Sequence, residues 1–396
     1  MSNYTLLMLG NGYDLAHCFP TKYDNFLHVI NFLSTSYNES FDTVGKILGN
    51  EELQNSSPFL KSCYQKHKYI YDSTPLNRDK AARLIEGAKT NTWFKYFLSS
   101  FNRELGWIDF EKEISIVIEA FEYFFDTCSI KFNMPELKIK NQHIISKFDF
   151  FHESNVPSKG LPAYTRRVKK KYTIEHPQGS GYLIVFKEEI VKGLYLELLQ
   201  LANMLQLYLT CFVDNPSHVT MEQGLRTTKN IFQNVFQVFT FNYTQTYEIL
   251  YGCDSSVLHI HGDTKKNIVL GVNPNSHDEL IDLDTSFIKF KKYFQRIFYR
   301  TDLNYTHKLK HLREQKKYDS QYTLYVFGHS LNETDKDIIK DLFDLADQIV
   351  IFYHNLDAVS SYITNLVNIY GKQEFDQLRV NKNLYFLDNL DINWRE

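Results

Sequence analysis

The chain has 396 residues, 43% hydrophobic and 23% charged, a balance that excludes a largely disordered or collagen-like protein and leads one to expect roughly two or three domains. Forty-four basic against forty-seven acidic side chains leave a net charge of −3, which excludes general electrostatic attraction to nucleic acid or to an anionic membrane. The five cysteines, Cys18, Cys63, Cys128, Cys211 and Cys253, contain no C-x-x-C pair, so reduced thiols in a cytoplasm are expected rather than a zinc ribbon or a secreted disulfide frame.

The opening Met1-Ser2-Asn3-Tyr4 lacks the positive charge and long apolar run of a signal peptide. No stretch approaches the roughly 18 apolar residues of a membrane span. A cytoplasmic protein without a membrane partner is the expectation. The first element is a buried-strand pattern, Tyr4 to Leu9, closed by Gly10-Asn11-Gly12. A helical period follows in Trp107, Phe110, Ile114, Val117, Ile118 and Phe121, then a loop rich in Pro, Gly, Ser and charge from Phe151 to Gly181, and a second long helix from Ile190 to Leu209.

Short apolar runs return at Val235 to Phe241, Val257 to His261, Asn267 to Val272, Tyr322 to Phe327, Gln348 to Tyr353 and Asn383 to Leu387. Several are apolar on both faces, as strands of a helix-covered parallel sheet should be. Thr334 can cap a helix running from Asp335 to Ala346. Strand, turn, helix, strand is the rhythm of a doubly wound, mainly parallel α/β sheet of Rossmann type. The expected organisation is a discontinuous core, residues 1–35 plus 226–396, with a large helical insertion at 36–225.

Five motifs could carry chemistry. Gly10-Asn11-Gly12-Tyr13-Asp14 stands between the first strand and a helix, where glycines let backbone N–H groups approach a phosphate or ribose. Leu15 replaces the third glycine of the dinucleotide fingerprint, so an ordinary tight turn fits as well. Thr240-Phe241-Asn242-Tyr243-Thr244 ends another strand, where Asn242 can hold a ribose hydroxyl or a water, or cap the next helix near Glu248. His259-Ile260-His261-Gly262-Asp263 puts two histidines on one face of a strand. That arrangement suits a metal with help from His277 or Asp278, a single catalytic base at His261, or a structural core histidine. Gly328-His329-Ser330-Leu331, with Asp335 behind it, occupies a further strand-to-helix corner but is not a serine-hydrolase elbow. Trp107-x-Asp109-x-Glu111 opens the inserted helix with first-turn acids that suit its dipole. Two basic stretches, Arg166 to Lys171 in a loop and Phe287 to Arg300, read as a helix with Phe287, Phe290, Phe294 and Phe298 on one face, fit solvated faces better than a nucleic-acid contact.

The order of these motifs carries a resemblance. Gly10 to His17 with Pro20-Thr21-x-Tyr23-x-x-Phe26, followed by Trp107-x-Asp109-x-Glu111, Phe241-Asn242-Tyr243-Thr244-x-x-x-Glu248, His261-Gly262 and Gly328-His329-Ser330-Leu331-x-x-x-Asp335, resembles the AbiH family of bacterial phage abortive-infection proteins. The likeness spans most of the chain, but from about residue 30 to 225 little beyond the Trp107 motif matches. The series is also similar, more distantly, to the sirtuin-like superfamily of NAD-consuming enzymes. That likeness implies a sirtuin-like core. It places Asn242 where an asparagine positions water and ribose, His261 at the catalytic histidine, and Gly10, Gly12, Gly328 and Ser330 around NAD. Asn11, Tyr13, Asp14, Thr21, Tyr23, Thr240, Tyr243, His329 and Asp335 complete the expected nucleotide contacts, with the roles of Asp14 and Asp335 open. The four-cysteine zinc module of sirtuin deacylases is missing, which argues against lysine deacylation.

The resemblance therefore implies an antiphage effector that hydrolyses NAD as substrate at the nicotinamide–ribose bond, with no metal. A phage-derived trigger, and a homo-oligomer or partner protein, would hold it off or release it. Two other readings stand beside it: a metal-dependent nuclease or phosphohydrolase built on His259, His261 and Asp263, and a non-catalytic nucleotide sensor.

Overall fold

The computed structural model describes residues 2–101, 108–129, 143–150, 169–175, 183–216, 235–251, 257–272, 285–318 and 320–388. Six strands form one sheet: β1 (Ser2–Leu9), β4 (Gln237–Thr240), β5 (Val257–His259), β6 (Ser320–Phe327), β7 (Gln348–Tyr353) and β8 (Leu384–Asp388). Their order is β5-β4-β1-β6-β7-β8, and every pairing is parallel. Two short strands, β2 (Thr173–Glu175) and β3 (Leu183–Val185), make a separate antiparallel pair.

The sheet forms because its central strands are apolar on both faces. Leu6, Leu7, Met8 and Leu9 are all fully buried. Leu6 and Met8 join a core filled by Tyr305, Leu309, Ile339, Leu342 and Leu366 from three helices. Leu7 and Leu9 face the other way, onto Tyr13 and Tyr247 of the helices Asn11–Ala16 and Thr246–Tyr251. Helices therefore cover both faces, which is the doubly wound arrangement expected. From β1 the chain moves out to β4 and β5 on one side and to β6, β7 and β8 on the other. The strand order reverses at β1, where sheets of this kind bind ligands beyond the carboxyl ends.

The chain divides into two compact units. One comprises Met1–Leu84, Leu205–Val269 and Arg296–Glu396, and holds the six-stranded sheet. The other comprises Ile85–Met204 and Leu270–Gln295. In the second unit Trp93 is fully buried and its indole N–H donates to the Leu194 carbonyl at 2.9 Å, while Phe97 stacks on Phe110 at 4.2 Å. Rings fill this core, in keeping with 31 Phe and 27 Tyr in the chain.

Several local expectations need correction. Asn267 to Val272 is not a strand, although every residue from Ile268 to Leu270 is buried. Gly262, at φ +78°, folds this segment back so that Val269 N–H donates to the His261 carbonyl at 2.8 Å, which takes the segment out of line with the sheet. Phe287 to Arg300 is not one helix. It breaks at Lys291, which bridges to Val272, into a 3-10 turn Thr285–Phe290 and the helix Lys292–Tyr299. Phe287 and Phe290 are buried but Phe298 is 67% exposed, so the expected single ring-bearing face does not form.

Thr334 is not the cap of the late helix. Asn332 caps a 3-10 turn Glu333–Asp335 by accepting Thr334 N–H, and the helix proper runs Lys336–Leu345. The helix Lys187–Leu209, continued to Asp214, is long and apolar enough by composition to cross a bilayer, contrary to expectation, and 56% of its apolar window is buried inside the protein. Trp107, His277, Asp278, Arg166 and Arg167, and most of the loop from Phe151 to Gly181, lie outside the described residues.

Candidate functional site

The carboxyl ends of β1, β4, β5 and β6 carry the four motifs, so the fold brings these distant segments to one edge of the sheet. The turns after β1 and β6 interlock. Gly10 N–H donates to the Phe327 carbonyl at 3.0 Å and Gly12 N–H to the Gly328 carbonyl at 2.8 Å. A β-carbon on Gly12 would stand 2.6 Å from Gly328 Cα, and one on Gly328 would stand 2.3 Å from the Tyr13 nitrogen. The glycines are required where one backbone touches another. The Gly10 and Gly12 amides are taken up by the end of β6, Asn11 is exposed, and Tyr13 is buried under the sheet.

Two polar groups lie behind these turns. In the first, His261 Nε2 is 2.9 Å from Asp335 Oδ1, and His329 Nε2 is 3.7 Å from Asp335 Oδ2. All three side chains are more than nine-tenths buried. His329 Nδ1 accepts the Leu331 N–H at 2.9 Å. In its neutral form His329 must therefore carry its proton on Nε2, turned toward Asp335. Phe241 packs edge-on against His261 and lies 4.2 Å, ring to ring, from His329. Asp335 stands at the helix N-cap position yet makes no capping bond, because its carboxylate is turned to the imidazole. A buried carboxylate on an imidazole N–H fixes the tautomer and supports a proton accepted at the other nitrogen.

Asn242 follows β4. Its N–H donates to Thr240 Oγ1 at 3.1 Å and its carbonyl accepts from His259. Asn242 as a residue is 7% exposed, and its side-chain amide bonds to none of the described residues. Tyr243 donates its hydroxyl to the Val269 carbonyl at 2.9 Å. Ser330 is exposed, and its carbonyl accepts from Asn365. Thr21 and Tyr23 are half-buried, just before and at the start of the helix Tyr23–Ser36.

The second group surrounds Asp14. Thr244 Oγ1 donates to Asp14 Oδ2 at 2.6 Å, while Asp14 Oδ1, fully buried, has no hydrogen-bond partner. Burial pushes the Asp14 carboxyl up to about 7, against the lowering effect of Thr244 and of Thr246, whose hydroxyl lies close without forming a bond of normal geometry. The charges of Asp214 and Glu248 add to the rise. Asp214 accepts from Gln245 N–H and from the Thr264 hydroxyl, and burial raises it to about 6.

His259 is the cation among these acids. One ring nitrogen lies 2.6 Å from Glu248 Oε1 and the other 2.9 Å from the Asn242 carbonyl. Burial alone would lower its pKa, but the Glu248 bond and charge, with the Asn242 carbonyl and Asp263, outweigh that and raise it. Both nitrogens donate, so His259 is not placed to ligate a metal. The strand ends at His259, side-chain alternation stops there, and His261 turns to Asp335 instead. Asp263 is tied to Lys265 N–H at 2.8 Å. The trio proposed as a metal centre is thus dispersed among different partners, and no group of three His, Cys, Asp or Glu suited to a metal occurs among the described residues.

Breaking the His259–Glu248 pair has a calculable consequence. Glu248→Ala leaves a buried imidazolium without its carboxylate and is expected to destabilise the protein by about 3–5 kcal/mol. The difference from wild type should be full in mild acid and shrink as the pH rises through the raised His259 pKa, which urea unfolding at two pH values would measure. An equal loss at all pH values would mean that the pair is not charged.

The Trp107 motif is structural where it is described. Asp109 Oδ1 accepts the N–H groups of Glu111 and Lys112, capping the helix Phe110–Ser129. Glu111 pairs at 2.8 Å with Lys292, which is 1% exposed. Of the basic run, Lys169 pairs with Asp149. Sequence reasoning did not single out Asp214, Thr246 or Thr264. Asp214 ends a π-helical turn 31 and 50 positions before its partners Gln245 and Thr264, and nothing local marks it.

A family model described as Bacteriophage abortive infection AbiH matches residues 6–354 of the chain. No curated protein and no solved structure matches it.

Proposed function

This chain belongs to the AbiH family of bacteriophage abortive-infection proteins, and from that premise we propose that it is a cytoplasmic effector that hydrolyses NAD at the nicotinamide–ribose bond. The observation that carries the reading is the buried His261–Asp335 pair, with His261 packed on Phe241, the residue before Asn242, at the carboxyl ends of strands next to the point where the strand order reverses.

In the proposed reaction the bond between the ribose C1′ and the nicotinamide nitrogen breaks, and its electron pair leaves with nicotinamide as a neutral amide. A water oxygen bonds to C1′. The water's proton passes to the His261 imidazole and then to solvent. Asp335 accepts the Nε2 proton, so the basic lone pair of neutral His261 is on Nδ1, and the carboxylate stabilises the imidazolium formed. Asn242 would hold the water or a ribose hydroxyl through its side-chain amide. No metal is needed, because positioning and charge stabilisation of an oxocarbenium-like sugar suffice. Depletion of NAD would halt phage replication, and the trigger or assembly that releases the activity would come from the phage or a partner.

The test is nicotinamide release by the purified protein, alone and with phage-infected lysate, with metabolite profiles of expressing cells alongside. His261→Ala is expected to lower the rate by about 10²–10⁴, the usual contribution of a general base. Wild-type protein that releases no nicotinamide under any of these conditions overturns the reading. Cell killing that survives in both His261→Ala and Asn242→Ala assigns a nucleotide sensor instead.

A further inference from the structure

The Asp14 group is distinct from the histidine pair and has unmet bonding capacity of its own. Three atoms there lack a hydrogen bond of normal geometry: Asp14 Oδ1, Thr246 Oγ1, which lies close to the Asp14 carboxyl, and Glu248 Oε2. Their side chains are 1%, 1% and 8% exposed. Each buried polar atom left unbonded costs about 1–3 kcal/mol. The other oxygen of each carboxylate is already bonded, Asp14 Oδ2 to Thr244 and Glu248 Oε1 to His259, which holds the two carboxylates in place.

The geometry points to a ribose-binding corner, in which the adjacent hydroxyls of a nucleotide's ribose donate to Asp14 Oδ1 and Glu248 Oε2 and accept from the Thr246 hydroxyl. This inference rests on the nucleotide reading of the same sheet edge and names the part of the ligand that Asp14 would recognise.

Charge and donor count select this class. Asp14, Asp214 and Glu248 lie within electrostatic reach of one another, with His259 as the compensating cation. That field repels phosphate, so the corner does not hold the pyrophosphate of a dinucleotide. A metal ion would need at least three well-placed ligands, and the described His, Cys, Asp and Glu residues form no such group. Vicinal hydroxyls satisfy both requirements. Each donates one hydrogen bond to a carboxylate oxygen and retains lone pairs for a threonine hydroxyl. They also carry no charge to be desolvated on entry.

The experiment is calorimetric titration of the full chain with ADP-ribose and with two analogues, each lacking the 2′,3′-hydroxyls of one of its riboses. One of the analogues is expected to bind at least tenfold more weakly than ADP-ribose to the wild type, the loss of one or two charge-assisted hydrogen bonds. In Asp14→Asn, which presents a donor where the carboxylate accepts, and in Thr246→Val, that gap should close to about twofold or less while binding of the weaker analogue is unchanged. Thermal melts of both variants guard against misfolding. Analogues that bind the wild type like ADP-ribose, a gap that persists in both variants, or no binding of ADP-ribose at all would each overturn the inference. Nicotinamide release is assayed in parallel. Cleavage of NAD without the tenfold gap removes the ribose corner and leaves the hydrolase, whereas a gap that closes in the variants without cleavage leaves the corner and removes the hydrolase.

Discussion

Gly328→Ala is expected to destabilise the sheet-bearing unit by more than about 4 kcal/mol, a size reserved for failures of this kind. Gly328 has φ +68°, a left-handed conformation that costs an L-residue about 1–2 kcal/mol before any contact is made. The added carbon would meet the Tyr13 nitrogen at 2.3 Å and the Gly12 carbonyl carbon at 2.5 Å. Both are backbone atoms of the opposing turn, so no side chain can rotate away. Gly12→Ala should be damaging for the reciprocal reason, with Gly328 Cα 2.6 Å from its added carbon. Urea unfolding of the two variants measures this. If Gly12→Ala unfolds at the wild-type midpoint yet loses nucleotide binding, the glycine serves approach of a ligand rather than contact between turns.

That distinction shows where the sequence is informative and where it is not. Tyr4 to Leu9, Tyr322 to Phe327 and Gln348 to Tyr353 are legible as strands because burial on both faces leaves a largely apolar run, whereas Asn383 to Leu387 forms the half-exposed edge strand with Tyr385 41% exposed. Asn267 to Val272 has the same composition but a different fate, decided by a turn at Gly262 whose added carbon would lie 1.8 Å from the Asn267 carbonyl oxygen. Periodicity cannot register such a tertiary contact. The glycines between β1 and the next helix are equally legible, yet the pattern is the same whether the backbone must approach a phosphate or another turn.

The site shows a similar division. His261 and Asp335 are both visible as polar residues at strand ends, but their pairing across 74 positions is not. His259 and His261 look equivalent in a strand of period two. They become different residues because β5 stops between them, one held in an ion pair with Glu248 and the other against Asp335. Asp214 was invisible because its partners, Gln245 and Thr264, come from other segments and it ends a short π-helical turn with no motif of its own.

Asp14→Asn is expected to make the protein more stable at pH 8, by up to about 4 kcal/mol, and to remove much of the pH dependence of its unfolding. The carboxyl rises from its ordinary 3.8 to about 7 in the folded chain, chiefly through burial. The native state therefore binds that proton more tightly than the unfolded chain does. The stabilisation from Asp14 is complete below the unfolded value and is lost as the pH climbs through about 7. At roughly 1.4 kcal/mol for each pH unit between the two values, the loss by pH 8 is about 4 kcal/mol. Asparagine has nearly the same shape and can still accept from Thr244, but it has no proton to lose. Wild type and variant should converge near pH 4 and separate toward pH 8 in urea unfolding. A smaller slope should persist in the variant, because Asp214 is itself raised to about 6. A variant destabilised equally at both pH values would mean that the Asp14 carboxylate is well solvated and that its burial has no energetic consequence. The same substitution removes the acceptor proposed for a ribose hydroxyl, so the titration with ADP-ribose tests that role separately from stability.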